Sequence, residues 1–310
     1  MADEAPPAPA APPAPAATVR DALLARCDFP PAGTPVTCAV SGGPDSLALL
    51  VLAVDAGCDV TAVHVDHGLR AGSAGEALVV ADAAARFGAS FRAERVDVAP
   101  GPNLEARARA ARYGVLPRDV LTGHTADDQA ETVLLALLRG AGLDGLAGYD
   151  PEGRPLRRVR RAETGELCTA LGLDPIDDPM NVDPAFRRTR VRDELLPLLD
   201  AIAERDLAPV LARQADVLRD EVAFLDDLAL AVDPTDARAL ATAPVVLARR
   251  AVRRWLRDAT GGDEAHPPDL AAVERVLAVA RGDAVATEVA GRRVARTAGV
   301  LRISAPRRGD

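Results

Sequence analysis

A chain of 310 residues with 48% hydrophobic content can build one α/β domain and a smaller partner. Aromatics are only 3%, so its core must come from Ala, Leu and Val. A net charge of −9 excludes indiscriminate nucleic-acid binding by the chain as a whole, though it permits local basic faces. No apolar run approaches the ~20 residues that span a bilayer. The four cysteines, at 27, 38, 58 and 168, form no CxxC pair, which excludes the usual zinc spacings and suits a reducing, cytoplasmic setting.

Residues 1–17 are Ala/Pro-rich with two acids and no basic segment, and read as a disordered tail rather than a secretory signal. The pattern then alternates. Strands are expected at 36–40, 60–66, 90–97 and 119–123, and helices at 45–55, 74–87, 103–115 and 125–139. Such alternation implies an α/β fold, a parallel sheet with helices on both faces, whose ligands bind beyond the carboxyl ends of the strands. Three polar clusters lie at those ends, Ser41–Ser46, His64–Arg70 and Gly123–Asp128, and should converge on one crevice. Residues 140–150 are a Gly-rich loop and 174–186 an irregular stretch. After Leu195 the alternation stops, and a smaller, mainly helical domain follows, with helices near 195–231, 244–258 and 268–281 and small strands within 285–303 around Gly291 and Gly299. The expected domains are therefore the tail (1–17), a nucleotide-binding catalytic domain (18–200) and a helical domain (201–310).

Between the first strand and the first long helix lies Ser41-Gly42-Gly43-Pro44-Asp45-Ser46. Two glycines let backbone N–H groups converge without a Cβ in the way, and the helix N-terminus adds partial positive charge. Such a turn is built for an oxyanion, most often a phosphate. A Walker loop requires Gly-Lys-Ser/Thr. All 37 basic residues of this chain are arginine, so this is a different phosphate loop.

In helix 125–139, Ala126, Ala130, Val133, Leu134, Leu137 and Leu138 make the expected core stripe, and Thr125 is the expected N-cap. Asp127 and Glu131 stand at i,i+4 with Asp128 beside them. First-turn acids complement the helix dipole; a same-facing pair also binds a cation, Mg²⁺ or an ammonium group, and the residues alone leave both readings open. The strand end His64-Val65-Asp66-His67-Gly68 suits hydrogen bonds to a nucleotide, or a helix cap, better than a transition-metal site. Helix 103–115 carries Glu105, Arg109 and Arg112, either an ion-paired face or guanidinium groups that stabilise charge in a phosphoryl- or adenylyl-transfer transition state. Arginine runs without acids occur at 154–161 and 187–192, the second holding Arg187, Arg188, Arg190 and Arg192, and a third cluster of arginines lies at 249–257. Single runs are ordinary solvated surface; two in an acidic protein point to a nucleic-acid backbone.

Five blocks in order resemble the bacterial tRNA(Ile)-lysidine synthetase family, within the pyrophosphate-loop (PP-loop) ATPase superfamily. They are Ser41–Ser46; His64-Val-Asp-His-Gly-Leu-Arg70; Asn103-Leu-Glu-Ala-Arg-Ala-Arg-Ala-Ala-Arg-Tyr113; Gly123-His-Thr-Ala-Asp-Asp-Gln-Ala-Glu-Thr132 running on into Leu-Leu-Arg139-Gly-Ala-Gly; and Asp178-Pro-Met-Asn181 with Arg188-Thr-Arg-Val-Arg192 and Leu195-Leu-Pro197. The first block marks only the superfamily; the fourth and fifth together are more specific. Thr189 stands where the family usually has Asn, and the chain is too short for the full C-terminal tRNA-binding domain of many members.

The resemblance implies an adenine nucleotide alpha-hydrolase-like fold and an ATP-dependent ligase forming a carbon–nitrogen bond. ATP adenylates the C2 oxygen of the wobble cytidine in a CAU-anticodon isoleucine tRNA, the ε-amine of free L-lysine attacks C2, and AMP leaves. By position it implies that Ser41, Gly42, Gly43, Pro44, Asp45, Ser46 and His67 bind ATP. Asp45 would hold Mg²⁺, Asp45, Arg109, Arg112 and Asp127 would be catalytic, and Asp127, Asp128 and Glu131 would bind lysine. Arg187, Arg188, Arg190 and Arg192 fall to the tRNA. The oligomeric state stays open, with a homodimer as one form to test. The rivals are a tRNA thiolase of the same superfamily, against which the missing CxxC counts, and a small-molecule ATP-pyrophosphatase amidotransferase or synthetase.

Overall fold

The computed structural model describes residues 16–66, 73–96, 104–176, 186–260 and 268–304. Most of the expected tail, His67–Arg70, Asn103 and Asp178–Asn181 lie outside the described residues, as do the side chains of Glu105 and Arg109. The chain divides into two compact units, 1–216 and 217–310.

In the first unit, four strands, β1 (Pro35–Ala39), β2 (Asp59–Asp66), β3 (Ser90–Arg95) and β4 (Leu121–Thr122), form a parallel sheet in the order β3-β2-β1-β4. Helix α1 (Ala16–Leu24) precedes the sheet; α2 (Pro44–Asp55), α3 (Ser73–Phe87) and α4 (Leu104–Val115) make the crossovers; α5 (Ala126–Leu138) follows β4. The chain runs outward from β1 through β3 and then returns to the other side of β1. The order therefore reverses between β1 and β4, which is where open α/β sheets form their binding crevice.

Helix α2 is buried all round from Ser46 to Ala53. A helix apolar on every side must be covered on every side. Leu47, Leu49, Leu50 and Leu52 pack with Cys38, Val60 and Ala62 of the sheet and with Leu156, Val159, Leu167 and Cys168. Burying each leucine contributes about 1.5–3 kcal/mol, which anchors the helix whose N-terminus carries Asp45.

A short turn, α6 (Leu143–Leu146), leads to a segment that runs beside β4, with Thr122 N donating to Gly153 O (2.8 Å) and Ala126 N to Val159 O (2.9 Å). It ends in α7 (Arg161–Ala170), a helix the sequence reading did not anticipate. Arg160 is its N-cap, and the Glu163 side chain accepts from Arg160 N at 2.8 Å. The stripe that seats α7 against α2 is Thr164, Leu167 and Cys168, all buried.

The expected long helix near 195–231 is two. Helix α8 (Arg187–Arg190), a π turn over Val191–Leu195 and α9 (Leu196–Ala203) are continuous. The chain then breaks at Glu204, which has a left-handed backbone (φ 52), before α10 (Ala208–Ala229).

In the second unit, α11 (Ala237–Thr242), α12 (Val245–Thr260) and α13 (Leu270–Arg281) share a core with an antiparallel sheet of β5 (Ala286–Val289), β6 (Arg292–Thr297) and β7 (Val300–Ile303). Two-residue turns at Ala290–Gly291 and Ala298–Gly299, with positive φ throughout, join the strands. These are the small strands expected within 285–303. Among the described residues, no helix is long and apolar enough to cross a membrane.

Candidate active site

Ser41–Ser46 turns from β1 into α2. Ser46 Oγ accepts from Ser41 N and Gly42 N (3.1 Å each) and donates to Gly43 O (2.9 Å). The serine hydroxyl thus sits among the converging loop amides that a phosphate oxygen would use. Gly42 has φ +93, and a Cβ there would lie 2.3 Å from Ile176 Cδ1; Ile176 N also donates to Gly42 O at 3.0 Å. We expect Gly42→Ala to destabilise the protein by about 1–2 kcal/mol from the left-handed backbone alone, and more from displacing Ile176. A urea midpoint equal to that of the parent would refute this. Gly123, at the end of β4, is needed for close approach, since a Cβ there would lie 2.7 Å from Asp45 O.

The loop opens on a cavity of about 380 Å³, within the range of small-molecule sites. Asp45, His64, Arg112, Gly123, His124 and Asp128 are among its lining residues. All three sequence clusters therefore reach this crevice, the second through His64. His64 is buried and its Nδ1 lies 3.0 Å from the carbonyl of Val40. A carbonyl only accepts, so Nδ1 carries the proton, and in the neutral ring Nε2 is an acceptor. Among the described residues that buried Nε2 has no hydrogen-bond partner, so it suits an amino or hydroxyl donor of a bound nucleoside. Arg112 reaches the cavity from α4, with its guanidinium 5.4 Å from the centre of the Tyr113 ring.

Helix α5 starts as expected. Thr125 is the N-cap, and Thr125 and Asp128 exchange the two bonds of a capping box, Asp128 Oδ2 accepting from Thr125 N at 2.9 Å. Its apolar stripe is shorter than expected. Leu137 and Leu138 are exposed, while Asp127, Gln129 and Glu131 are buried, Glu131 completely. The periodicity failed because α5 buries its acidic side against arginines rather than leaving it in water.

Those arginines come from α7 and from the helix beginning at Arg187. Arg160 forks onto Asp127 at 2.8 and 3.0 Å, and Arg161 N donates to Asp127 at 2.8 Å. The Arg161 side chain spans the crevice, with Nε 3.3 Å from Asp45, one terminal nitrogen 2.9 Å from Glu131 and the other 3.0 Å from Asp128. Arg188 meets Glu131 (2.5 Å) and Asp128 (3.0 Å), and Arg192 meets Glu131 (2.7 Å). Thr164 Oγ1 donates to the second Asp45 oxygen. Thr189 is buried between these two arginines in the sequence.

Burial is the main influence on the Asp45 carboxyl and pushes it up to about 6, although Thr164 and Arg161 pull the other way. Asp127 and Asp128 are also penalised by burial, yet both are held below the usual carboxylate value, Asp127 by Arg160 and the Arg161 amide, Asp128 by Arg161 and Arg188. Neighbouring carboxylates thus take opposite shifts because the guanidiniums lie closer to one end of the crevice.

The second arginine run divides. Arg188 and Arg192 turn inward to Glu131, whereas Arg187 and Arg190 are exposed, Arg190 pairing with Glu194 at 2.8 Å along its own helix. Arg160, Arg161 and Thr164 are the residues sequence reasoning missed as part of the crevice. A signal existed in Thr164, Leu167, Cys168 and Leu171, an i, i+3, i+4, i+7 stripe marking a buried helix whose first residues must sit near the core.

The PP-loop domain family matches residues 23–199. A tRNA(Ile)-lysidine synthase of Nocardia farcinica is 46% identical over 271 residues, covering 82% of this chain and 85% of that protein. Another, of Salinispora arenicola, is 40% identical and covers 99% of both. Among solved structures, the U34-tRNA thiolase NcsA of Methanococcus maripaludis is similar with a TM-score of 0.52 at 17% identity, over 66% of this chain and 79% of that one. That likeness is one of fold, a parallel sheet flanked by helices. The domain match takes in more than half of the chain, and the two relatives cover 82% and 99% of it. The chain therefore belongs to the tRNA(Ile)-lysidine synthase family of PP-loop proteins.

Proposed function

We propose that the protein ligates free L-lysine to C2 of the wobble cytidine in a CAU-anticodon isoleucine tRNA, using ATP and releasing AMP and pyrophosphate. The observation that carries this reading is one cavity lined both by the phosphate loop and by Asp128 of the acidic helix. A site for an anionic co-substrate thus adjoins a carboxylate able to receive a cationic nucleophile.

The crevice fits ATP through the loop amides and through His64 Nε2, a buried acceptor without a partner among the described residues. Asp45 supplies the hard oxygen that Mg²⁺ prefers. Bound there, Mg²⁺ would offset phosphate charge as pyrophosphate leaves. Arg112, and Arg109 by its place on the same helix, would stabilise the charge that develops when the cytosine oxygen attacks the α-phosphate. Asp127, Asp128 and Glu131 form the lysine end. The ε-amine must reach C2 without its proton; Asp127, held ionised by Arg160 and the Arg161 amide, would orient that amine through its charge.

Residues 18–200 would form the catalytic domain and 201–310 the helical tRNA-binding region. Arg187 and Arg190, whose side chains are exposed, suit phosphate contacts with the tRNA, while Arg188 and Arg192 support Glu131 from behind. A sulfur-transfer reading fits the site less well. Burial pushes the Cys27 and Cys38 thiols up to about 12, and Cys168, which lies 3.5 Å from Pro44 O, up to about 11, so none is poised as a thiolate.

The deciding assay is incorporation of labelled lysine into a CAU-anticodon isoleucine tRNA transcript with Mg-ATP. Lysine should enter that tRNA and not a transcript carrying another wobble base. No incorporation would overturn the assignment.

A further inference from the structure

The two ends of the crevice belong to different elements. Asp45 opens α2 after β1, and Asp128 and Glu131 lie on α5 after β4. The guanidinium of Arg161 contacts both ends, through Nε to Asp45 and through its two terminal nitrogens to Glu131 and Asp128. Its backbone N–H takes the fourth acid, Asp127. Arg161 can do this because it is the first residue of α7, and Leu167 and Cys168 fix that helix in the α2 core. Thr164, one turn on, donates to the Asp45 oxygen that Arg161 does not face.

We propose that Arg161 is a positioning residue that holds the lysine-binding carboxylates in register with Asp45, and that Thr164 fixes the Asp45 rotamer within the same device. This rests on the reading of the crevice given above. Attack on an adenylated base demands that nucleophile and electrophile meet within a few tenths of an ångström of the productive geometry. A planar guanidinium with three fixed directions specifies the relative placement of three carboxylates. An ammonium group in its place would keep the charge without that geometry.

The test compares Arg161→Lys, Thr164→Val and, as a control, Arg26→Lys, which alters the Arg26–Glu163 pair at the same helix start (2.6 Å). Three quantities are read. They are single-turnover pyrophosphate release with Mg-ATP and tRNA but no lysine; the Kd for L-lysine by equilibrium dialysis on the protein without ATP; and the thermal midpoint. Arg161→Lys should slow pyrophosphate release and raise the lysine Kd, each at least tenfold, from one folded protein. Thr164→Val should slow pyrophosphate release at least fivefold and leave the lysine Kd within twofold. Arg26→Lys should leave both within twofold.

A purely structural Arg161 would lower the thermal midpoint without changing lysine binding by the folded fraction, and that result overturns the proposal. So does a change at one end of the crevice only. If Arg161→Lys does not fold, Thr164→Val decides: unchanged pyrophosphate release, or a shifted lysine Kd, overturns the proposal. Wild-type protein that incorporates no lysine would instead sink the functional reading, so the two failures are separable.

Discussion

Asp45→Asn should lower the rate of tRNA adenylation roughly 10²–10³-fold, the loss typical when a group aimed at transition-state charge is removed, and leave the protein at least as stable as before. The two effects share a cause. Burial pushes the Asp45 carboxyl up to about 6, so above that pH the folded state carries an ionised group it solvates poorly. Asparagine keeps the volume and an acceptor for Thr164 while shedding the charge. Arg161 loses one contact and keeps Asp128 and Glu131. Pyrophosphate release with Mg-ATP and tRNA, read beside a thermal midpoint, checks both parts. Normal release would remove Asp45 from the mechanism, and a drop in midpoint of several degrees would mean that the carboxylate is structural.

Glu131→Gln should do the opposite to stability. Glu131 is fully buried, and Arg161, Arg188 and Arg192 converge on it within 2.9 Å. Removing one partner of a buried ionic cluster leaves the others uncompensated, at a cost of about 3–5 kcal/mol. Asp128 neutralises part of the remaining charge through Arg161 and Arg188, which places the expected loss near the lower end of that range. Urea denaturation measures it. A loss below about 1 kcal/mol would mean that the arginines find water or other acids, and that Glu131 does not organise this end of the crevice. Lysine binding should weaken in the same variant, because the arginines it releases repel an incoming ammonium group.

Much of this was legible in the chain. The alternation from residue 34 to about 140 read as a parallel sheet, and the sheet is parallel. Ser41–Ser46 read as a phosphate turn because its chemistry is local: two glycines, then a helix start. The Thr125 cap was readable for the same reason, since Thr125 and Asp128 are three residues apart and bond to each other. The limits of α5 were readable too, but its solvent face was not. Leu137 and Leu138 matched the core period and are exposed, while Asp127 and Glu131, outside that stripe, are buried. Burial depends on what lies opposite, and what lies opposite is 30 to 61 residues away in sequence.

The arginine runs show the same division. As sequence, 154–161 and 187–192 were alike, basic and without acids. In the fold, Arg160, Arg161, Arg188 and Arg192 meet the carboxylates of the crevice, while Arg187 and Arg190 face solvent. By itself the sequence determined the α/β fold, the glycine turn into α2 and the family, because these rest on short-range periodicity and on contiguous motifs. Only the tertiary structure decided which charges pair, since an ion pair is set by distance in space. A helix start at Arg161, seated by Leu167 and Cys168 on the α2 core, is what brings that guanidinium to Asp45, Asp128 and Glu131 at once.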